Sequence, residues 1–92
     1  MGGTEQLPDP AMDAEAAERA EEAKKIRRLQ IMVNMVLSVI WQDPTLTLTQ
    51  ASELVTNTRI AALTMFPDKE LAYDLIYRPR LQRAMRERYR IQ

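Results

Sequence analysis

The sequence predicts an all-α protein, a three- to four-helix bundle around a long, mostly buried N-terminal helix. Residues 29–41 are apolar at ten of thirteen positions, and the exceptions Gln30, Asn34 and Ser38 recur every fourth residue, which on a helix forms one narrow polar stripe. Glycine is absent after residue 3, which disfavours hairpin-rich folds, and helix-forming residues are abundant. A helix that is apolar nearly all round requires cover from the other elements or from a second copy of the chain.

The chain of 92 residues is long enough for one domain, and its first residues differ from the rest. We interpret residues 1–10 as a flexible acidic leader and residues 11–92 as a single helical domain. Asp9 is a suitable N-cap, and Pro10 is a suitable first helical residue. The first half of the long helix has little to bury beyond alanines and Met12, so this half is expected to project from the body or to fray.

Prolines and a capping motif divide the domain into four predicted helices. Pro44 ends the first helix, because the residue before a proline avoids the α region. Thr47 and Gln50 have the spacing of a capping box at the start of the second helix. Pro79 interrupts the last helical segment. The predicted helices span residues 11–42, 48–65, 68–78 and 79–90.

The shorter helices each have a predicted buried face. In the third helix, Leu71, Leu75 and Ile76 are expected to face the core. In the second helix, apolar and small residues recur at helical spacing, which would allow close helix packing. The members of this stripe are Leu48, Ala51, Leu54, Val55, Thr58, Ala61, Ala62 and Met65.

Histidine and cysteine are both absent, which limits the chemistry of the protein more than any other feature of its composition. Their absence excludes thiol nucleophiles, Cys/His zinc sites, Ser-His-Asp triads and imidazole acid–base catalysis. Glu70 and Asp74 share a helix face but lack the further oxygen ligands that a hard cation requires. We therefore expect a protein that is not an enzyme, that binds no cofactor or metal, and that has no small-molecule substrate.

The absence of cysteine also fits a reducing compartment. The acidic N-terminus lacks the basic and apolar segments of a signal peptide. As a helix, residues 29–41 would span about 20 Å, against about 30 Å for the core of a bilayer. The expected location is cytoplasmic, with no membrane-spanning segment and no membrane partner.

Charges are segregated along the chain although its net charge is zero. Residues 1–22 have a net charge of −6, residues 23–28 contain four bases, residues 29–77 have a net charge of −3, and residues 78–92 have a net charge of +5. A chain near neutrality has little electrostatic barrier to association. The acidic start and the basic end are therefore expected to set the register of an assembly.

The excess of apolar residues in the first helix predicts an interface. We expect Met32, Met35, Val39 and Ile40 to contact a second copy of the chain or another protein, because such side chains form adaptable binding surfaces. The alternative is ordinary core packing, which apolar residues at helical spacing usually serve. The main functional prediction is a small, non-enzymatic helical protein that acts through self-association or protein–protein interaction.

A nucleic-acid-binding module is the competing prediction. It would use the arginines of the last helix, which offer planar, charged groups for phosphates. The residues concerned are Arg80, Arg83, Arg86 and Arg90. The alternative is a solvated helix end whose arginines pair with the acidic residues of segment 5–22, in the same chain or in another copy.

Residues 47–71 resemble the helix-turn-helix region of TetR-type repressors. Thr47 opens the segment and Phe66-Pro67-Asp68-Lys69-Glu70 closes it, as a threonine and a Phe-Pro-x-Lys-Glu motif do in that family. The resemblance covers about a quarter of the chain and implies DNA binding through a two-helix motif. The sequence departs from the family pattern at the tight turn, where Thr56 replaces the expected glycine. On the reading helix, the expected aromatic and hydroxyl residues are replaced by Ala61, Ala62 and Leu63.

Overall fold

The computed structural model describes residues 10–90, and within this range the chain consists of four α-helices with no β-strand. The helices are α1 (Pro10–Gln42), α2 (Leu48–Met65), α3 (Glu70–Ile76) and α4 (Arg78–Tyr89). The predicted all-α class is confirmed, and each helix end lies within two residues of its predicted position. The predicted leader, residues 1–10, lies outside the described residues except for Pro10, which begins α1.

Helix α1 has two halves with different surroundings. The half formed by residues 10–28 is exposed at every position, and Leu29 is the first buried residue. From Leu29 onward one face of the helix is buried, through Leu29, Val33, Val36 and Ile40. The prediction of a mostly buried N-terminal helix therefore holds only for one face of its C-terminal half. The bare half contributes to an elongated shape, with extents of 71 × 25 × 16 Å.

The core lies where α2 and α4 pack against the C-terminal half of α1, while the backbone of α3 lies against α4 and α2. Small residues at Ala51 and Ala62 of α2 are fully covered, which allows the close helix approach that the sequence predicted. Thr58 is buried among them and satisfies its hydroxyl by donating to the carbonyl oxygen of Leu54 at 2.6 Å. The buried apolar residues are Leu29, Val33, Val36, Ile40, Ala51, Ala62, Tyr73, Leu81 and Ala84.

The capping box predicted at the start of α2 is confirmed. The backbone N–H of Gln50 donates to the Thr47 hydroxyl at 3.1 Å, and the Gln50 side-chain oxygen accepts from the backbone N–H of Thr47 at 3.0 Å. Two donors that a helix start leaves without partners are thereby satisfied. This motif fixes the residue at which α2 begins after the break at Pro44.

The last turn of α4 is attached to the end of α1. Arg88 donates to the carbonyl oxygens of Ile40 at 3.2 Å and Asp43 at 2.7 Å, and the Tyr89 hydroxyl donates to the carbonyl oxygen of Leu46 at 2.8 Å. Carbonyl groups at a helix C-terminus have no partner within the helix, so these side chains satisfy groups that would otherwise need water. Arg88, one of the arginines of the basic C-terminal segment, therefore serves the fold.

Helix α3 is oriented opposite to the prediction. Leu71, Leu75 and Ile76 are 72%, 69% and 56% exposed, whereas Tyr73 is buried and Tyr77 is half-buried. The two tyrosine rings lie 5.7 Å apart between their centroids. A tyrosine ring covers more apolar area than a leucine side chain, so burial of this pair outweighs burial of the aliphatic residues. The prediction of Leu71, Leu75 and Ile76 as the inner face is therefore wrong.

A double ion pair holds α3 in this orientation. Arg59 of α2 donates to both carboxylate oxygens of Asp74, at 3.0 and 3.1 Å, and to the carboxylate of Glu70 at 2.6 Å. Asp74 and Glu70 lie on one side of α3, and Asp74 directly follows the buried Tyr73. Because a guanidinium matches a carboxylate in this paired geometry, the contact sets the rotation of the helix as well as its position.

Candidate protein-interaction surface

The side of α1 opposite the core carries exposed apolar residues, and we call it the outer face of α1. Ile31 is 56% exposed and Met35 is 62% exposed, and the polar residues Asn34 and Ser38 lie beside them. At about 100° per residue, Ile31 and Met35 point away from the buried Ile40. Neither α2 nor α4 covers them, so these two side chains form an open apolar surface in the half of α1 that is otherwise packed.

The four residues predicted to form an interface occupy three different environments. Met35 is exposed on the outer face, and Met32 and Val39 are half-buried at its edge. Ile40 has no exposed surface and belongs to the core of the chain. Its placement in the interface is corrected, because a partner reaches only the surface residues. The predicted set did not include Ile31. Its position four residues before Met35 places both side chains on one side of a helix, and this spacing could have identified it.

The four predicted nucleic-acid contacts lie on α4 and at its end, and all are exposed. Arg80 donates to the side-chain oxygen of Asn34 at 3.4 Å, and Arg83 pairs with Glu87 at 3.0 Å. Arg86 projects from the last turn, and Arg90 ends the helix in the left-handed region with φ of 50°. Within residues 10–90, no ion pair joins these arginines to the acidic residues of α1.

A groove between α1 and α3 forms a second apolar surface that the sequence did not predict. Residues of α1, α3 and the end of α2 line a cavity of about 250 Å³. Ile76, an exposed aliphatic residue of α3, is part of its lining. No pattern in the sequence distinguishes this arrangement from its reverse, because Leu71 and Leu75 have the same spacing as Tyr73 and Tyr77. The groove is lined chiefly by Ile26, Leu29, Leu63, Phe66, Ala72, Tyr73, Ile76 and Tyr77.

Electrostatic effects are concentrated where α2 meets α3. The guanidinium of Arg59 holds the pKa of the Asp74 carboxyl below its ordinary value through their hydrogen bonds. Burial raises the pKa of the Tyr73 hydroxyl, whose oxygen has no hydrogen-bond partner among the described residues. The carboxylates of Glu70 and Asp74 face Arg59, and residues 10–90 contain no cluster of three or more acidic side chains that could hold a metal ion.

No protein-family model, no curated protein and no solved structure matches the chain. The resemblance of residues 47–71 to TetR-type repressors implied a helix-turn-helix, and the structure corrects that implication. Helix α2 runs without interruption from Leu48 to Met65, so no turn exists at Thr56 to separate two helices. Within the described part of the chain, no helix combines the length and the apolar character needed to cross a membrane.

Proposed function

We propose that this chain is a small, non-enzymatic protein that acts by binding a protein partner, itself or another chain, through the outer face of α1. The observation that carries the proposal is the exposure of Ile31 and Met35 on the C-terminal half of α1, whose opposite face is buried through Leu29, Val33, Val36 and Ile40. Full burial of one such side chain contributes about 1.5–3 kcal/mol. Met32 and Val39 at the edge of the face extend the apolar area that a partner would cover.

Nucleic-acid binding through α4 is the second candidate function. The observation in its favour is the exposure of Arg80, Arg83, Arg86 and Arg90. Against it, Arg83 is paired with Glu87, and Arg88 is turned inward onto the end of α1. The absence of cysteine supports a cytoplasmic setting for either function.

The proposal is tested by measuring the native mass of the purified chain over a range of concentrations. The interface variant is Ile31→Glu combined with Met35→Glu, and the matched control is Ile60→Glu, an equally exposed apolar residue of α2. We expect the wild type and the control to self-associate and the interface variant to remain monomeric. Circular dichroism of each variant verifies that the helices are intact. Equal association of all three proteins, or a monomeric wild type, would overturn binding through this face to a second copy.

The same preparation separates the two candidate functions. A raised ratio of absorbance at 260 and 280 nm, with a mass that nuclease reduces, would favour the arginines of α4. Binding to phosphates would also weaken steeply with added salt, because each contact releases counterions. Apolar contact through the outer face of α1 predicts association that salt does not abolish.

A further inference from the structure

We propose that the groove between α1 and α3 is a second binding site, which takes a basic amphipathic helix of another protein. This site is separate from the outer face of α1, so its occupancy is independent of the function proposed above. Three observations carry the assignment. The groove has an apolar floor, its outer part is bordered by carboxylates, and no segment of this chain combines the properties needed to fill it.

The floor of the groove is apolar. The residues that line the cavity of about 250 Å³ are mostly aliphatic and aromatic. A wider depression of about 560 Å³ adjoins this cavity and shares Glu22, Phe66 and Lys69 with it. Together the two extend the groove along residues 17–29 of α1, a length of about 18 Å or three helical turns.

The wider depression has an excess of negative charge, because its lining contains four carboxylates and two lysines. At about 100° per residue, Glu18 and Glu22 lie within about 20° of Leu29, so carboxylates continue the side of α1 that is buried from Leu29 onward. Within residues 10–90, Glu18, Glu22 and Asp68 have no ion-pair partner. A partner with basic residues beside its apolar residues therefore complements both parts of the groove. The charged residues of the wider depression are Glu18, Glu21, Glu22, Lys25, Asp68 and Lys69.

A helix suits the length and the walls of this groove. Glu18, Glu22 and Leu29 form a row at helical spacing along α1, and a second helix packs beside such a row at an axis separation of about 8–10 Å. A partner helix of about three turns places apolar residues at i, i+3, i+4 and i+7 on the floor, with its basic residues against the carboxylates.

The chain itself lacks a segment of this kind. Helix α4 is basic, but its apolar stripe of Leu81, Met85 and Tyr89 packs on the core, so a second copy brings arginines without an apolar face. Residues 1–9 contain two acidic residues and no basic residue, which does not complement the acidic border. The partner is therefore a different protein.

Model peptides test the chemistry of the site. The probe is a fluorescein-labelled peptide of about 14 residues, made of leucine and lysine, with leucines at i, i+3, i+4 and i+7 so that one face is apolar and the other basic. Two matched peptides replace every lysine with glutamate or every leucine with serine. By fluorescence anisotropy, the leucine–lysine peptide is expected to bind about tenfold or more tightly than either. Equally tight binding of a matched peptide, or no binding of the leucine–lysine peptide, would overturn the proposal.

Charge reversal in the groove locates the bound peptide. Glu18→Lys combined with Glu22→Lys is expected to raise the Kd by about tenfold or more, because two attractive contacts become repulsive. The matched control, Asp13→Lys combined with Glu53→Lys, changes the net charge equally at positions outside the groove. Asp13 lies about 160° from Leu29 around α1, and Glu53 lies in the N-terminal half of α2. Equal weakening by both variants would indicate general charge attraction and contradict the site.

A bulky side chain in the cavity provides a second readout. Ala72→Trp fills the cavity from an exposed position of α3 and is expected to weaken peptide binding by about tenfold or more. The matched control is Leu71→Trp, at an exposed position that lines neither depression, and circular dichroism verifies that every variant is folded. Unchanged binding by Ala72→Trp, or loss of binding by Ile31→Ala combined with Met35→Ala, would place the peptide elsewhere. Loss of self-association in Ala72→Trp, without peptide binding by the wild type, would assign the groove to a second copy and overturn the proposal.

Discussion

The guanidinium of Arg88 donates to the carbonyl oxygen of Asp43 at 2.7 Å, across 45 residues of sequence. A second donation from the same side chain reaches Ile40, in the last turn of α1. The first and last described helices are therefore joined at their C-terminal ends by one side chain. Its neighbour Tyr89 adds a bond to Leu46, so the loop between α1 and α2 is held from one side by the end of α4.

Arg88→Ala is expected to lower the free energy of unfolding by about 1–3 kcal/mol, because two carbonyl groups lose a charged donor. In a chain of this size that loss corresponds to a fall in Tm of about 4–8 °C per kcal/mol. The matched control is Arg86→Ala, an exposed arginine of the same turn, for which a change within about 0.5 kcal/mol is expected. Thermal denaturation followed by circular dichroism makes the comparison, and equal losses in both variants would show that Arg88 is not a structural residue.

Tyr73→Phe is expected to leave stability unchanged or to raise it by up to about 1 kcal/mol. The Tyr73 hydroxyl is buried without a partner among the described residues, so its removal relieves a desolvation cost. Tyr89→Phe is the matched control, because its hydroxyl bonds to Leu46 and its loss is expected to cost about 1 kcal/mol. Urea denaturation of both variants tests the contrast, and a loss at Tyr73 equal to the loss at Tyr89 would indicate that the Tyr73 hydroxyl has a stabilising contact.

Stability is expected to decline with acid as Asp74 is protonated. Its pKa is lowered in the folded chain by hydrogen bonds from Arg59, so its contribution is present above the unfolded value of about 3.9 and is lost as pH falls through the lower folded value. Asp74→Asn removes this contribution and should flatten the dependence of stability on pH below about 4. Urea midpoints between pH 2 and pH 7 provide the measurement. A variant with the same acid dependence as the wild type would place the effect elsewhere, for instance at Asp43, whose pKa is lowered by hydrogen bonds from Thr45.

Ile40→Ala and Met35→Ala are expected to separate folding from association. Ile40 is fully buried, so its truncation should cost about 2–5 kcal/mol of unfolding free energy. Met35 is exposed in the single chain, so its truncation should change the stability of the monomer by less than about 0.5 kcal/mol while weakening the proposed self-association. Denaturation at low protein concentration reports the first quantity and sedimentation reports the second. Strong destabilisation of the monomer by Met35→Ala would mean that Met35 belongs to the core.

The sequence predicted the features of this fold that depend on local chemistry. The four helices, the break at Pro44 and the capping box of Thr47 each follow from residues close in sequence, whose preferences the structure retains. The rotation of α3 could not be predicted in this way. It depends on Arg59, which reaches Asp74 across 15 residues, and on the competition of two tyrosines with two leucines for one side. Helical periodicity identifies an apolar stripe, but it does not choose between two stripes on the same helix.

The candidate interaction surface could be predicted only in part, again because helical periodicity does not show which side of a helix is covered. The apolar excess of α1 predicts an interface in this segment, and Met35 lies on the exposed side of the helix. The four-residue selection failed at Ile40, because periodicity places residues around a helix without showing which side α2 and α4 will cover. Arg80 and Arg88 are residues of the opposite kind, because they were predicted from their charge to face solvent or a partner and instead make contacts within the chain. Both belong to the predicted basic end, yet one contacts Asn34 and the other satisfies carbonyl groups, which only three-dimensional proximity reveals.

The change in surroundings at Leu29 divides α1 into segments that differ in how often their backbone opens. A helical segment without tertiary contacts opens by local fraying, whereas a segment packed in a core opens only with the whole domain. In a single copy, amide protons before Leu29 should therefore exchange with solvent deuterium within seconds to minutes, and those after it far more slowly. A deuterium-uptake profile along α1 thus locates the boundary between its exposed half and its packed half, residue by residue, without a label or a substitution.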